Sequence, residues 1–171
     1  PPIGRVIEVL GNMDDAGMEI EIAVRKFDVP HRFNDAVLAE ARALPDSLRP
    51  ADYRNRVDLR DVPLVTIDGE DARDFDDAVY CEPVTDAKTG KPRGWRLLVA
   101  IADVSHYVRP GSALDAEAQE RTTSVYFPRR VIPMLPEKLS NGLCSINPEV
   151  DRLVLVADMV IDTDGEVVAY Q

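Results

Sequence analysis

Alternation of hydrophobic and polar residues is weak in the first part of the chain. Residues 3–11 alternate well enough to predict one strand, and the polar segment 12–17 predicts a turn after it. The apolar residues of segment 18–27 have spacings that suit a strand and a helix equally, so the pattern leaves this segment open.

Two helices are predicted from capping residues as well as from periodicity. Asn34 is a suitable N-cap for a helix over 35–44, which has one apolar face and is followed by Pro45. Ser112 begins a capping-box-like sequence and predicts a second helix that ends near Thr122. The polar segment 45–60, which Pro50 interrupts, is interpreted as a linker.

The remainder of the chain is dominated by strand patterns. Residues 85–94 are rich in turn formers and predict an exposed hairpin loop, whereas the three prolines of 125–136 predict irregular structure. A second hairpin turn is predicted at 162–165. We therefore expect an α+β fold, with a strand-rich mixed sheet and a few helices. Its predicted strands are 62–67, 76–82, 95–104, 152–161 and 166–170.

Composition narrows the class of protein. The 171 residues are 45% hydrophobic, which is ordinary for a globular domain, and no run of eighteen apolar residues predicts a membrane span. The formal net charge of −11 has the wrong sign for a protein that holds nucleic acid by electrostatics alone. Cys81 and Cys144 are interpreted as small core residues in a reducing cytoplasm rather than as a disulfide or metal site.

The richest chemistry is predicted between two of the strands. Residues 68–77 have the sequence Asp-Gly-Glu-Asp-Ala-Arg-Asp-Phe-Asp-Asp and directly follow an apolar run. Carboxylates this close repel one another, and a hard cation such as Mg²⁺ or Mn²⁺ removes that penalty. The alternative is a solvated acidic loop, although Phe75 indicates that the loop packs onto the body. An EF-hand does not fit, because Arg73 and Val79 stand where the glycine and closing glutamate belong. A haloacid dehalogenase-type site is disfavoured because residue 70 is Glu.

Four motifs in order resemble the ribonuclease II/ribonuclease R family of processive 3′→5′ exoribonucleases, over about residues 57–171. The wording of the first and last motifs is closest to the bacterial ribonuclease R branch. The start of the chain is similar to the end of the family's second cold-shock domain, which is OB-like. The motifs are Thr66–Ala78, Val99–Ser105, Thr123–Pro128 with Ile132–Pro136, and Leu139–Ser145.

The resemblance assigns the site residues. It implies that Asp68, Asp74, Asp76 and Asp77 are catalytic and hold Mg²⁺, with Mn²⁺ as the alternative. It also implies that Tyr126 stacks on bases near the RNA 3′ end, although core packing beside Phe127 is the other interpretation. We expect Asp68 and at least two of the other three carboxylates to converge on a common point. The basic residues that could contact phosphate or be ordinary surface charge are Arg129, Arg130 and Lys138.

The resemblance also predicts the domain organisation. Residues 1–30 are the end of an OB-like cold-shock domain, 31–60 a helix and linker, and 61–171 the N-terminal part of the catalytic domain. The start has neither an initiator Met nor a signal-peptide pattern, which indicates a chain cut from something longer. The remaining catalytic and S1 domains of the parent chain would be its partners, and unpaired strand edges would favour self-association.

The implied function is metal-dependent hydrolysis of single-stranded and structured RNA to nucleoside 5′-monophosphates, in the cytoplasm and without a membrane partner. We expect the 171 residues alone to have low activity. The competing interpretation is a non-catalytic module that binds a cation or a partner. His31 and His106 receive structural roles only.

Overall fold

The computed structural model of this chain describes residues 3–70 and 72–171. In chain order, the regular elements are α1 (Met18–Lys26), α2 (Asp35–Ala43), β1 (Asp77–Thr85), β2 (Pro92–Ala102), α3 (Ala113–Arg121), β3 (Val125–Phe127), β4 (Arg130–Ile132), β5 (Val154–Ile161) and β6 (Val167–Tyr170). A short 3₁₀ turn covers Val104–His106, and a π-helical turn covers Lys138–Leu143. The α+β class predicted from the sequence is confirmed.

A four-stranded sheet with the order β1-β2-β5-β6 is the frame of the fold. Every neighbouring pair of strands in it is antiparallel. The sheet is therefore purely antiparallel, whereas the sequence had predicted a mixed sheet. The β1–β2 hairpin turns through residues 86–91, inside the predicted loop 85–94, and β5–β6 turns at 162–165, as predicted. The central strand β2 joins these two hairpins.

The two faces of the sheet differ in what covers them. On one face Ala78, Leu98 and Ala100 are almost completely buried. Near the end of β2, Ala102 joins the main core cluster with α2, α3 and the π-helical turn. The opposite face carries Trp95, Ile101 and Leu155, all of which are exposed. The sheet is therefore covered by protein on one side only, within the part of the chain that the structure describes.

A second, smaller core joins α1 to the β3–β4 hairpin. Ile20 and Val24 of α1 pack with Ile132 of β4, and Val125 and Phe127 of β3 lie against them. Segment 18–27 is thus helical, which the sequence pattern had left open. Residues 125–132, the first part of the segment 125–136 that was predicted to be irregular, form a short hairpin. In β3 the alternation of side chains leaves Tyr126 on the outer side.

Two predicted strands are not present. Residues 3–11 contain no strand, and Ile3, Ile7 and Val9 are exposed. Alternation alone does not make a strand, because its backbone groups need a partner strand to pair with. Segment 62–67 is reduced to a single bridge between Val65 and Val79, since Pro63 has no amide hydrogen to donate.

Both predicted helix starts are confirmed in detail. The Asn34 side chain accepts a hydrogen bond from the Val37 amide at 3.0 Å, and Ser112 Oγ accepts one from the Asp115 amide at 3.1 Å. In the described residues, no helix has the length and apolar character that crossing a bilayer requires.

Arg121, the last residue of α3, ties the N-terminal segment to the rest of the molecule. Its side chain is 2% exposed and is paired with Glu117 at 2.8 Å. The guanidinium also donates to the carbonyl oxygens of Pro30, Arg32 and Pro133. It stacks 3.8 Å from the centre of the Phe33 ring. A buried cation with this many partners holds α1 and the β3–β4 hairpin in place.

We predict that Arg121→Met lowers the free energy of unfolding by about 3–5 kcal/mol, because the Glu117 carboxylate loses its buried partner. Urea unfolding followed by circular dichroism measures this. Arg129→Met is the matched control, since Arg129 is exposed and its loss should cost no more than about 0.5 kcal/mol. Equal stability of the two variants would mean that the Arg121 contacts contribute nothing net.

Candidate active site

The four predicted aspartates lie on or beside one irregular segment, residues 66–76, which we call the acidic loop. Its start is fixed by the bridge in which Val65 and Val79 exchange backbone hydrogen bonds of 2.8 and 2.9 Å. Its end leads directly into β1, whose first residue is Asp77. Between these points the described residues of the loop form no helix or strand, and the Ala72 amide donates to the Gly69 carbonyl at 3.0 Å.

The loop is anchored to the body by the segment that follows the π-helical turn. The Phe75 amide donates to Ser145 Oγ at 3.0 Å, and the Ile146 amide donates to the Phe75 carbonyl at 2.8 Å. One residue further, the Ala102 amide donates to the Asp76 carbonyl at 2.9 Å. These bonds fix the backbone directly after Asp74 and immediately before Asp77.

Tyr126 reaches the acidic loop from the β3–β4 hairpin. Its hydroxyl donates to Asp74 Oδ2 at 2.8 Å, across 52 residues of sequence. This bond raises the pKa of Tyr126, because ionisation of the phenol would place a second negative charge beside the carboxylate. Tyr126 is 64% exposed, so it is not packed into the core beside Phe127.

The aspartates interact electrostatically. Burial raises the pKa of Asp76, and the charges of Asp74, Asp77 and Asp68 raise it further, in that order of effect. The Asp76 residue still reaches solvent, but enough protein surrounds its carboxyl to disfavour the ionised form. Carboxylates that repel one another in this way have the oxygen donors that suit a hard divalent cation, and such a cation would relieve their repulsion.

The carboxylates are nevertheless not assembled as the sequence suggested. Among residues 3–70 and 72–171, no three Asp, Glu, His or Cys side chains form a group that could hold one ion. A physical reason is the start of β1. Asp77 is paired with Ile101, and through it with Leu155, on the exposed face of the sheet, whereas Ala78 faces the core. Burial raises the pKa of Cys144, and the charge of nearby Asp76 raises it further.

Two of the three candidate basic residues, and both histidines, have contacts within the chain. Arg130 pairs with Glu21, and Lys138 Nζ donates to the Leu44 carbonyl at 2.6 Å, so both have partners within the chain. His31 and His106 lie beside Val29 O and Asp52 respectively, and neither contact requires a catalytic role. Glu70 is exposed, and Asp71 lies outside the described residues.

One prediction about the cysteines is wrong. Cys144 is buried as expected, but Cys81 is exposed. Cys81 lies on β1 and shares the uncovered face of the sheet with its partner Leu97. Its apolar surroundings in sequence therefore did not imply burial.

Sequence reasoning missed Ser145, which is completely buried. The Leu139–Ser145 motif supported the resemblance to the family, but it predicted no role for this residue. Ser145 lies directly between the apolar residues Cys144 and Ile146, and a polar group buried there must find partners, so a weak signal was available. What could not be predicted was which backbone group, 70 residues away, it would contact.

Two protein-family models match most of this chain. Residues 56–171 match the RNB domain family, and residues 1–34 match a cold shock domain. The chain is similar to ribonuclease R of Escherichia coli, with 54% identity over 169 residues. That alignment covers 99% of this chain but 20% of the relative, so the chain spans about a fifth of its length.

Solved structures show the same fold. Mycoplasma genitalium RNase R, determined in complex with double-stranded RNA, matches with a TM-score of 0.86 and 38% identity. The match covers 96% of this chain and 28% of that one. Yeast Ssd1, described as a pseudonuclease, matches with a TM-score of 0.70 at 18% identity, covering 95% of this chain and 20% of that chain, and shows the fold alone.

The buried environment beneath Asp76 gives a prediction about the two thiols. Burial raises the pKa of Cys144 to about 12 from its usual 9.0, which lowers its thiolate fraction about a thousandfold near neutral pH. We therefore expect a thiol reagent to label exposed Cys81 quickly and Cys144 at least about a hundredfold more slowly. Cys81→Ser should abolish the fast phase, and urea should release the slow one. Equal labelling rates would contradict the packing of the π-helical turn under the acidic loop.

Proposed function

Because this chain belongs to the RNB domain family, we propose that it forms part of a metal-dependent hydrolytic 3′→5′ exoribonuclease. The observation that carries the proposal is the hydrogen bond from Tyr126 to Asp74, which brings an exposed aromatic ring to the acidic loop. Stacking on an aromatic ring is tolerant of base identity, and oxygen ligands suit the cations used in phosphodiester chemistry. The 54% identity to Escherichia coli ribonuclease R supports the same reaction.

We assign Asp68, Asp74, Asp76 and Asp77 as the residues that would hold Mg²⁺, or Mn²⁺ in its place. When bound, the cation would polarise the scissile phosphate and lower the pKa of a water molecule. The aspartates would provide the negative charge that such a cation requires. Among them, Asp76 has a raised pKa, which shows that its surroundings disfavour the ionised carboxylate. Tyr126 would hold a base of the RNA 3′ end against its exposed ring, and its hydroxyl would orient Asp74.

The wider organisation is also a proposal. Residues 1–30 would be the end of an OB-like cold-shock domain, 31–60 a helix and linker, and 61–171 the first part of the catalytic domain. The remaining catalytic and S1 domains of a parent chain would supply positive groups, which these residues, with a net charge of −11, need in order to attract RNA. The substrates would be single-stranded and structured RNA in the cytoplasm. The isolated chain would self-associate through its uncovered sheet.

The central test is Asp76→Asn in the full-length enzyme that carries these residues. We expect kcat for RNA hydrolysis to fall by at least about 10²–10³-fold, because a charge used in the chemistry is removed. The Kd for RNA should change little, since no stacking surface is lost. A labelled single-stranded RNA assay measures the rate, and fluorescence anisotropy measures binding.

Asp164→Asn is the control for that variant, because it makes the same change of charge in the exposed β5–β6 turn. Parallel loss of binding and turnover in Asp76→Asn would mean that the loop is only structural. The 171-residue chain, assayed beside the full-length enzyme, should release nucleoside 5′-monophosphates far more slowly. A rate near that of the full-length enzyme would refute the need for further domains.

A pair of variants separates the two roles proposed for Tyr126. Tyr126→Phe keeps the ring and should leave the Kd for single-stranded RNA within about twofold while lowering kcat, because Asp74 loses its hydrogen bond. Tyr126→Ala also removes the stacking surface, which is worth ~1–3 kcal/mol per base. Its Kd should therefore rise roughly tenfold. Tyr170→Ala is the control, since this ring is exposed on the sheet at β6. Unchanged binding by Tyr126→Ala would exclude stacking.

A further inference from the structure

We propose that Ser145 is the positioning residue of the acidic loop, an inference that rests on the proposed function for its catalytic consequences. Ser145 touches none of the reacting groups. Its hydroxyl is completely buried and lies against the backbone of the loop, on both sides of Asp74. The conformation from which the aspartates project would then depend on this one side chain.

The hydrogen bonds of Ser145 make it a two-sided clamp. Its Oγ accepts from the Phe75 amide at 3.0 Å. Its own proton is within reach of the Arg73 carbonyl at 3.4 Å and of Asn147 Oδ1 at 3.3 Å. The next residue, Ile146, donates its amide to the Phe75 carbonyl at 2.8 Å. Both backbone groups of Phe75 are thus satisfied by residues 145 and 146.

The clamp is itself held rigidly. Arg152 Nε donates to the Ser145 carbonyl at 2.8 Å and to the Gly142 carbonyl at 3.0 Å, which fixes the end of the π-helical turn. Leu139 and Leu143 of that turn belong to the main core. The loop therefore takes its position from the core through Ser145, rather than from secondary structure of its own. Groups that orient metal-binding or catalytic side chains in this way commonly affect affinity or rate by 10–100-fold.

Replacement by alanine would leave the Phe75 amide buried without an acceptor and would free the loop. The first test needs neither metal nor RNA. Hydrogen–deuterium exchange of the full-length protein in chelator should show peptides covering residues 68–77 exchanging about tenfold faster in Ser145→Ala. Ser140→Ala is the matched control, because Ser140 lies in the π-helical turn just before Ser145 and its Oγ contacts Asn141 instead of the loop. Its loop exchange should equal that of the wild type.

The second test uses activity. In Ser145→Ala we expect kcat to fall about 10–100-fold and the Mg²⁺ concentration for half-maximal activity to rise about fivefold. The KM for RNA should stay within about threefold, because Tyr126 is untouched. Leu114→Ala provides a structural comparison, since this buried residue of α3 lies outside the π-helical turn that holds Ser145, and its truncation should lower Tm without changing loop exchange or the Mg²⁺ requirement.

The outcomes are separable. If Ser145→Ala does not fold, Ser145→Cys keeps a side chain of similar size with a weaker acceptor, and it should show intermediate changes in the same measurements. Loop exchange and Mg²⁺ requirement equal to those of Ser140→Ala would overturn the proposal. An inactive wild-type enzyme whose loop exchange still depends on Ser145 would refute the proposed function while leaving the positioning role intact.

Discussion

Repulsion between carboxylates is the constraint on which the rest of this structure depends. Burial raises the pKa of Asp76, and the charges of Asp74, Asp77 and Asp68 raise it further, so bringing the acidic side chains of this loop together costs free energy. A loop of this kind needs its shape from elsewhere. The bridge at Val65, the bond from Ala102 and the contacts of residues 145 and 146 supply that shape from the body of the protein.

Two separate cores position the groups that contact the acidic loop. The main core carries the π-helical turn and hence Ser145, whereas the smaller core between α1 and the β3–β4 hairpin carries Tyr126. The hydrogen bond between Tyr126 and Asp74 is where the two meet. Buried Arg121 fixes the segment between α1 and α2 to the hairpin, so a residue far from the aspartates contributes to this geometry.

Sequence reasoning succeeded where the signal is local. The caps at Asn34 and Ser112 and the strands β1, β2, β5 and β6 follow from turn chemistry and short-range pattern. It failed where the outcome depends on distant partners. Segment 3–11 alternates but is unpaired, and Cys81 lies in an apolar strand whose outer face is uncovered. In the candidate site, the four aspartates and Tyr126 could be named from a resemblance, but their assembly could not. It depends on contacts such as Phe75 with Ser145, which no local pattern contains.

That contact also orders events during synthesis. Phe75 and Ser145 are separated by 70 residues, and β2 reaches its partner β5 only after a similar stretch of chain. At roughly 5–20 residues per second, the ribosome needs about 4–14 s to make this interval. The carboxylates therefore leave the ribosome well before their anchor exists. During that time the acidic segment of the nascent chain lacks the contacts that position it. It acquires them only when the downstream half of the chain has folded back onto it.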